Sequence, residues 1–185
     1  MRTLNPANLL TIVRLLISPL VIWVILERRF AAAMALLALA GLSDALDGPL
    51  ARRTKCVTRL GAYLDPVADK LLLSGSYLAL AAVGAAPWWL VALIFGRDLL
   101  ILAMAGAALL FTRIREFPPS RWGKLSTVTQ VITGATLLAA AGCPWPPLAR
   151  LASALVWAAA AATVGSGLDY ARRARMRSRE QTRAA

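Results

Sequence analysis

Four aspartates, Asp44, Asp47, Asp65 and Asp69, stand in a stretch of chain that is otherwise apolar enough for a bilayer. They read Asp44-x2-Asp47-Gly48-x2-Ala51-Arg52, then eight residues, then Gly61-x3-Asp65-x3-Asp69. A carboxylate at membrane depth costs about 2.5–3.5 kcal/mol on insertion scales, so four in one short region point to a functional site rather than to solvated surface. Asp44 and Asp47 are three apart and share one helix face, while Gly61, Asp65 and Asp69 recur every four residues as a stripe on a second helix. A hairpin turning at the basic segment from Arg52 to Arg59 would set the two pairs face to face. Converging carboxylates repel one another and take up protons unless cations neutralise them. Oxygen-only ligands select hard ions, so Mg2+ or Mn2+ is the expected occupant, and four aspartates can hold two ions. Two metals about 3.5–4 Å apart suit displacement at phosphorus, because they neutralise phosphate oxygens and stabilise the leaving group. Gly48 and Ala51 lack bulk beside the acids and leave room for a ligand, and Arg52 can add a fixed positive charge.

The elements that must hold these residues are membrane helices. The 185 residues are 59% hydrophobic with a mean hydropathy of +0.64, the composition of an integral membrane protein. A helix that crosses the hydrocarbon core needs about 20 mostly apolar residues. Segments of that kind fall near 8–26, 31–50, 60–82, 87–111, 125–142 and 148–170. The expected fold is therefore all-α, a polytopic membrane protein with six transmembrane helices. Arg52, Arg53, Lys55 and Arg59, then Arg113, Arg115, Arg121 and Lys124, then the tail from Arg172 to Arg183, carry most of the basic residues. By the positive-inside rule these segments and both termini are cytoplasmic, as is the aspartate end of the second and third helices. The expected location is the bacterial inner membrane. Residues 1–170 read as one transmembrane domain and 171–185 as a basic cytoplasmic tail, the last dozen or so residues an extended or frayed helical stretch facing the membrane. There is no internal repeat, and the first apolar run reads as a retained helix because no small-residue cleavage site follows it. Trp88, Trp89 and Trp145 fit the aromatic belt of the opposite face; Trp23, Trp122 and Trp157 read as lipid or interface anchors.

Several classes of chemistry are excluded. The chain has no histidine, which removes Ser-His-Asp hydrolysis and phospholipase-D-like histidine nucleophiles. Cys56 and Cys143 are expected on opposite sides of the membrane, so neither a disulfide nor a zinc site is expected. The net charge of +12 is explained by membrane topology and anionic headgroups, so no nucleic-acid partner is expected.

The aspartate spacing with Gly48, Ala51, Arg52 and Gly61 resembles the signature of the CDP-alcohol phosphotransferase (CDP-alcohol phosphatidyltransferase) family, membrane enzymes of phospholipid synthesis, with every defining position matched. Asn5-Pro6-Ala7-Asn8-Leu9-Leu10-Thr11 with Arg14 resembles the family's amino-terminal Pro-Asn-x-x-Thr-x-x-Arg region, with Ala7 where proline is usual. The resemblance implies six membrane helices, a CDP-linked lipid donor, CDP-diacylglycerol, and CMP as leaving group. It implies two metals on Asp44, Asp47, Asp65 and Asp69, with Asp69 also deprotonating the acceptor hydroxyl. Asn8, Thr11, Gly48, Ala51, Arg52 and Gly61 would bind the CDP-lipid.

For the acceptor, Arg97, Asp98 and the run Pro119-Ser120-x-x-Gly123-Lys124-x-x-Thr127-x-x-Gln130 resemble the acceptor-facing region of glycerol-phospholipid members. Arg97, Arg121 and Lys124 are the implied acceptor contacts. Members that use glycerol 3-phosphate commonly carry a second arginine about two turns after the first, where this chain has Ala105. The pattern looks more like the cardiolipin synthases, so phosphatidylglycerol is the expected acceptor and glycerol 3-phosphate, as in phosphatidylglycerophosphate synthase, the alternative. Competing readings accompany each assignment. The acidic cluster could serve a divalent-cation transporter; Arg97 and Asp98 could be a structural ion pair; Arg121 and Lys124 could be positive-inside residues; Asn8 and Thr11 could be a cap and an early helical residue. Small residues are compatible with a homodimer and equally with tight packing inside one bundle.

Overall fold

The structure, a computed structural model, describes residues 6–54, 59–111 and 121–184; within these, the side chains of 6–12, 43–54, 59–67, 105–111, 174–175 and 177–184 are outside the described set. The described chain forms six helices: α1 (Pro6–Leu26), α2 (Phe30–Thr54), α3 (Arg59–Ala82), α4 (Trp88–Phe111), α5 (Arg121–Gly142) and α6 (Pro146–Ala184). Each expected apolar segment corresponds to one helix. Four boundaries differ in a consistent direction, with α2 and α3 running into the basic turn, α5 beginning at Arg121, and α6 continuing to Ala184. Hydropathy marks where a helix meets lipid, whereas helix growth continues until something stops it. After Gly167 the chain contains no glycine or proline and is rich in Ala and Arg, both strong helix formers, so α6 propagates.

The chain divides into two compact units. The first comprises Met1–Pro87 with Gly134–Ala149, the second Trp88–Thr133 with Arg150–Ala185. In the first unit α1 packs on both α2 and α3. Its buried side chains include Val21, Val24 and Ile25 of α1, Ala33 and Ala40 of α2, and Tyr77 and Leu80 of α3. Contact is closest at Gly75, where an added Cβ would lie 2.5 Å from Ile22 Cδ1. Two tight reversals hold this unit's short connections. The Arg29 N–H donates to the Val24 carbonyl (3.0 Å) with Arg28 at φ 57°, and the Ala85 N–H donates to the Leu80 carbonyl (2.8 Å) with Gly84 at φ 80°. Both are 6→1 closures of a helix end, which need a left-handed residue; glycine adopts that conformation without strain, arginine at a modest cost.

The second unit has polar groups inside. Ser126, Gln130 and Thr133 of α5 and Thr163 and Ser166 of α6 are all buried. Gln130 Nε2 donates to Thr163 Oγ1 (3.0 Å) and Ser126 Oγ (3.2 Å), and Thr133 Oγ1 reaches the Leu155 carbonyl at 3.1 Å. Large apolar side chains such as Leu99, Leu102, Val128 and Trp157 lie outside. Leu90, Ile94 and Val156 are buried as well, but many large apolar side chains outside with hydroxyl residues inside is a pattern that suits helices packed in lipid, where interhelical hydrogen bonds add to apolar packing. Two described helical stretches, Arg121–Gly142 and Pro146–Arg173, are long and apolar enough to cross a membrane by length and composition; Val13–Leu26 and Phe30–Leu42 are shorter apolar stretches. All six tryptophans are at least partly exposed, consistent with the anchoring role expected of them.

Gln130 was expected in the acceptor-facing region by resemblance, and the structure gives it an interhelical role. Gln130→Leu is expected to destabilise the protein by roughly 1 kcal/mol, since each interhelical hydrogen bond in a membrane averages about 0.6 kcal/mol. Thermal melting in detergent measures this. A raised acceptor KM at unchanged stability would instead assign Gln130 to recognition.

Candidate active site

Asp44 and Asp47 lie on α2 with Gly48, Ala51 and Arg52; Asp65 and Asp69 lie on α3 with Gly61; Asn8 and Thr11 lie on α1. All these elements belong to the first unit. Because α1 packs on both aspartate-bearing helices, the amino-terminal motif and the acidic helices belong to one packed assembly. The side chains of Asn8, Thr11, Asp44, Asp47, Gly48, Ala51, Arg52, Gly61 and Asp65 are outside the described residues, so the face-to-face arrangement of the two aspartate pairs stays an expectation.

Asp69 is described. Its side chain is 56% exposed, and its Oδ1 accepts a short hydrogen bond from Nη1 of Arg14, whose own side chain is only 8% exposed. Arg14 stands on α1 one turn before Ser18, whose hydroxyl donates back to the Arg14 carbonyl (2.8 Å). A buried guanidinium needs a carboxylate or several acceptors, which makes this a pairing of consequence for both residues. Arg14 carries no assigned role in the sequence reading, although it closes the amino-terminal motif. The available signal was a charge in the second turn past Asn8, within an apolar helix. A carboxylate has about four lone-pair sites, so pairing through Oδ1 is compatible with Asp69 also accepting a proton or a cation.

The donor set fits a hard divalent ion. It consists of carboxylates, with no histidine anywhere in the chain, and Asp69 is exposed enough for a hydrated ion to reach.

The implied acceptor residues lie in the second unit. Arg121 and Lys124 occupy the first turn of α5 and are exposed. Arg97 of α4 is largely buried. Its Nη1 donates to Asp98 Oδ1 (2.9 Å), its Nε and Nη2 both donate to Ser166 Oγ (3.2 and 2.8 Å), and its guanidinium lies 5.8 Å from the Tyr170 ring centroid. The ion pair with Asp98 is thus formed. Ser166 and Tyr170 were absent from the sequence reading, and nothing at spacings of 69 and 73 residues announces them. Ala105 lies on α4, its side chain outside the described residues, and Pro119 and Ser120 are likewise outside them.

An all-α membrane protein whose aspartates lie on α2 and α3, both packed by α1, carries the residues that a metal-assisted enzyme acting on phosphate esters would need. Residues 4–165 match the family model for CDP-alcohol phosphatidyltransferase, and the chain belongs to that family. It is a transferase of phospholipid biosynthesis, and the divalent-cation transporter reading gives way to that assignment. The chain is 34% identical over 180 residues to a Mycobacterium tuberculosis protein named "Probable phosphatidylglycerophosphate synthase", covering 94% of this chain and 83% of that one. It is also 34% identical over 166 residues to a Streptomyces coelicolor "Cardiolipin synthase (CMP-forming)", covering 85% and 74%. A "CDP-diacylglycerol--glycerol-3-phosphate 3-phosphatidyltransferase" of Aquifex aeolicus is 33% identical over 130 residues, covering 68% and 70%.

Proposed function

We propose that this protein transfers the phosphatidyl group of CDP-diacylglycerol to the hydroxyl of glycerol 3-phosphate, releasing CMP. The observation that carries the acceptor is the relative matched along nearly the whole of both chains, named a phosphatidylglycerophosphate synthase; the Aquifex relative's name specifies the same acceptor. This reverses the preference drawn from the motif around Arg97 and Ala105. Charge supports the change, since a phosphate monoester dianion asks for more cationic partners than the diester of phosphatidylglycerol, and Arg97, Arg121 and Lys124 provide three. Phosphatidylglycerol remains a second reading, favoured by the Streptomyces relative.

The acceptor oxygen attacks the phosphorus that carries diacylglycerol, the bond from that phosphorus to the bridging oxygen breaks, and CMP departs with the electron pair. Asp69 takes the proton of the attacking hydroxyl. Asp44, Asp47, Asp65 and Asp69 would hold two divalent ions, Mg2+ or Mn2+, which would supply positive charge to neutralise the phosphate oxygens of the donor and of the leaving group. Asn8, Thr11, Gly48, Ala51, Arg52 and Gly61 hold the nucleotide end of the donor. Arg97, Arg121 and Lys124 hold the acceptor's phosphate. Six spans with both termini cytoplasmic put the aspartate ends of α2 and α3 at the cytoplasmic face of the inner membrane, so nucleotide enters from water and acyl chains from lipid. The transmembrane domain comprises residues 1–170, and residues 171–185 form the basic cytoplasmic tail.

Purified protein with Mg2+ and CDP-diacylglycerol, given either glycerol 3-phosphate or phosphatidylglycerol, tests this. CMP release and phosphatidylglycerophosphate formation with the first acceptor are expected. Product from phosphatidylglycerol alone would replace the acceptor, and no CMP with either would remove the assignment to this branch.

A further inference from the structure

We propose that Ser166 and Tyr170 of α6 are positioning residues that set the orientation of Arg97 for the acceptor's phosphate, an inference that rests on Arg97 being an acceptor contact. Both residues follow the last position matched to the family model, residue 165. Arg97 is enclosed from three helices. Ser166, fully buried, accepts from Nε and Nη2 and so occupies one edge of the guanidinium plane (3.2 and 2.8 Å). The guanidinium carbon lies over the Tyr170 ring, 5.8 Å from its centroid. From α5, Gly123 approaches so closely that an added Cβ would stand 3.4 Å from Nη2 and 3.2 Å from the Tyr170 hydroxyl oxygen.

Charge compensation alone does not require this enclosure. Asp98, the neighbour on the same helix, already supplies an opposite charge at 2.9 Å. A serine hydroxyl adds an acceptor without adding negative charge, and a ring beneath the cation attracts it without using an N–H. The result is a cation held along one edge by Ser166, at Nη1 by Asp98 and over the Tyr170 ring. Of its five N–H groups, three are engaged among the described residues, which leaves one on each terminal nitrogen to donate to an arriving oxyanion. A binding group held by locked neighbours spares the substrate the cost of ordering it, so loosening the holder should weaken acceptor binding while sparing the donor.

The test is steady-state CMP release by the full-length protein in mixed micelles with Mg2+, varying glycerol 3-phosphate and CDP-diacylglycerol separately. Ser166→Ala and Tyr170→Leu are each expected to raise the KM for glycerol 3-phosphate by about 5–20-fold, with the CDP-diacylglycerol KM and saturating rate within about threefold of the native protein. Ser166→Thr, which keeps the hydroxyl, should recover most of the loss, and Tyr170→Phe, which keeps the ring, should give a smaller rise than Tyr170→Leu. Arg97→Gln is measured alongside. If it raises the acceptor KM while Ser166→Ala and Tyr170→Leu do not, the positioning role is overturned and the acceptor contact stands. If Arg97→Gln leaves that KM unchanged, the underlying assignment fails and the inference with it. A fall in saturating rate with both KM values shifted together would mean that α6 merely packs there, which also overturns the proposal.

Discussion

Asp69→Asn is expected to lower the rate of CMP release by about 10²–10⁴-fold, the usual worth of a positioned general base. The substitution preserves the shape of the side chain and an oxygen that can accept from Arg14, so the packing of α1 on α3 should survive. What disappears is the negative charge and the capacity to take a proton. Arg14 is buried, so removing the Asp69 charge beside it costs stability, and the variant should melt several degrees below the native protein while remaining folded. CDP-diacylglycerol should still bind with an affinity reduced by no more than about tenfold, since three aspartates and the nucleotide-binding residues remain. Single-turnover CMP release and donor binding, measured on one preparation, separate these effects. Near-native turnover would remove Asp69 from its role as base.

Chelation is expected to have an effect of similar size. EDTA should abolish CMP release, and excess Mg2+ or Mn2+ should restore it. Asp44→Asn, Asp47→Asn and Asp65→Asn should each raise the metal concentration needed for half-maximal rate and cut the saturating rate at least about 100-fold, because losing one carboxylate weakens the held charge that stabilises departing CMP. A readout independent of catalysis is available. A ligand that binds only the folded state stabilises it by about 2.7 kcal/mol at 100 times its dissociation constant, so Mg2+ should raise the melting temperature of the native protein and much less that of Asp44→Asn. Full activity in EDTA would dismiss the metal from the mechanism.

The helices were readable because each carries a long apolar segment, which is what a helix of a membrane protein needs where it meets lipid. What hydropathy misplaced were helix ends in polar sequence, where α2, α3, α5 and above all α6 extend past the apolar limits. The aspartate motif that leads to the family was readable for the opposite reason. Carboxylates in apolar chain are costly enough that their spacing carries meaning, and that spacing with Gly48, Ala51, Arg52 and Gly61 led to the family. The acceptor was not readable with the same security. Motif resemblance around Arg97 and Ala105 favoured phosphatidylglycerol, whereas a relative matched over 94% of this chain, named a probable phosphatidylglycerophosphate synthase, supports the proposal of glycerol 3-phosphate. On the proposed reading, acceptor choice rests on how Arg97, Arg121 and Lys124 are held, and that is a property of packing.

The sequence by itself determined an all-α membrane protein, its number of helices, its acidic motif and the family to which it belongs. These follow from composition and from spacings within a few turns, which one helix enforces without help. Only the tertiary structure decided that Arg14 pairs with Asp69 and that Arg97 is held by Ser166 and Tyr170, partners 55, 69 and 73 residues apart. In lipid an apolar side chain is equally satisfied by a neighbouring helix or by acyl chains, so apolar pattern does not say which helix faces meet. Close approach at residues such as Gly75 and Gly123, and the need of each buried charge or hydroxyl for a partner, make that choice.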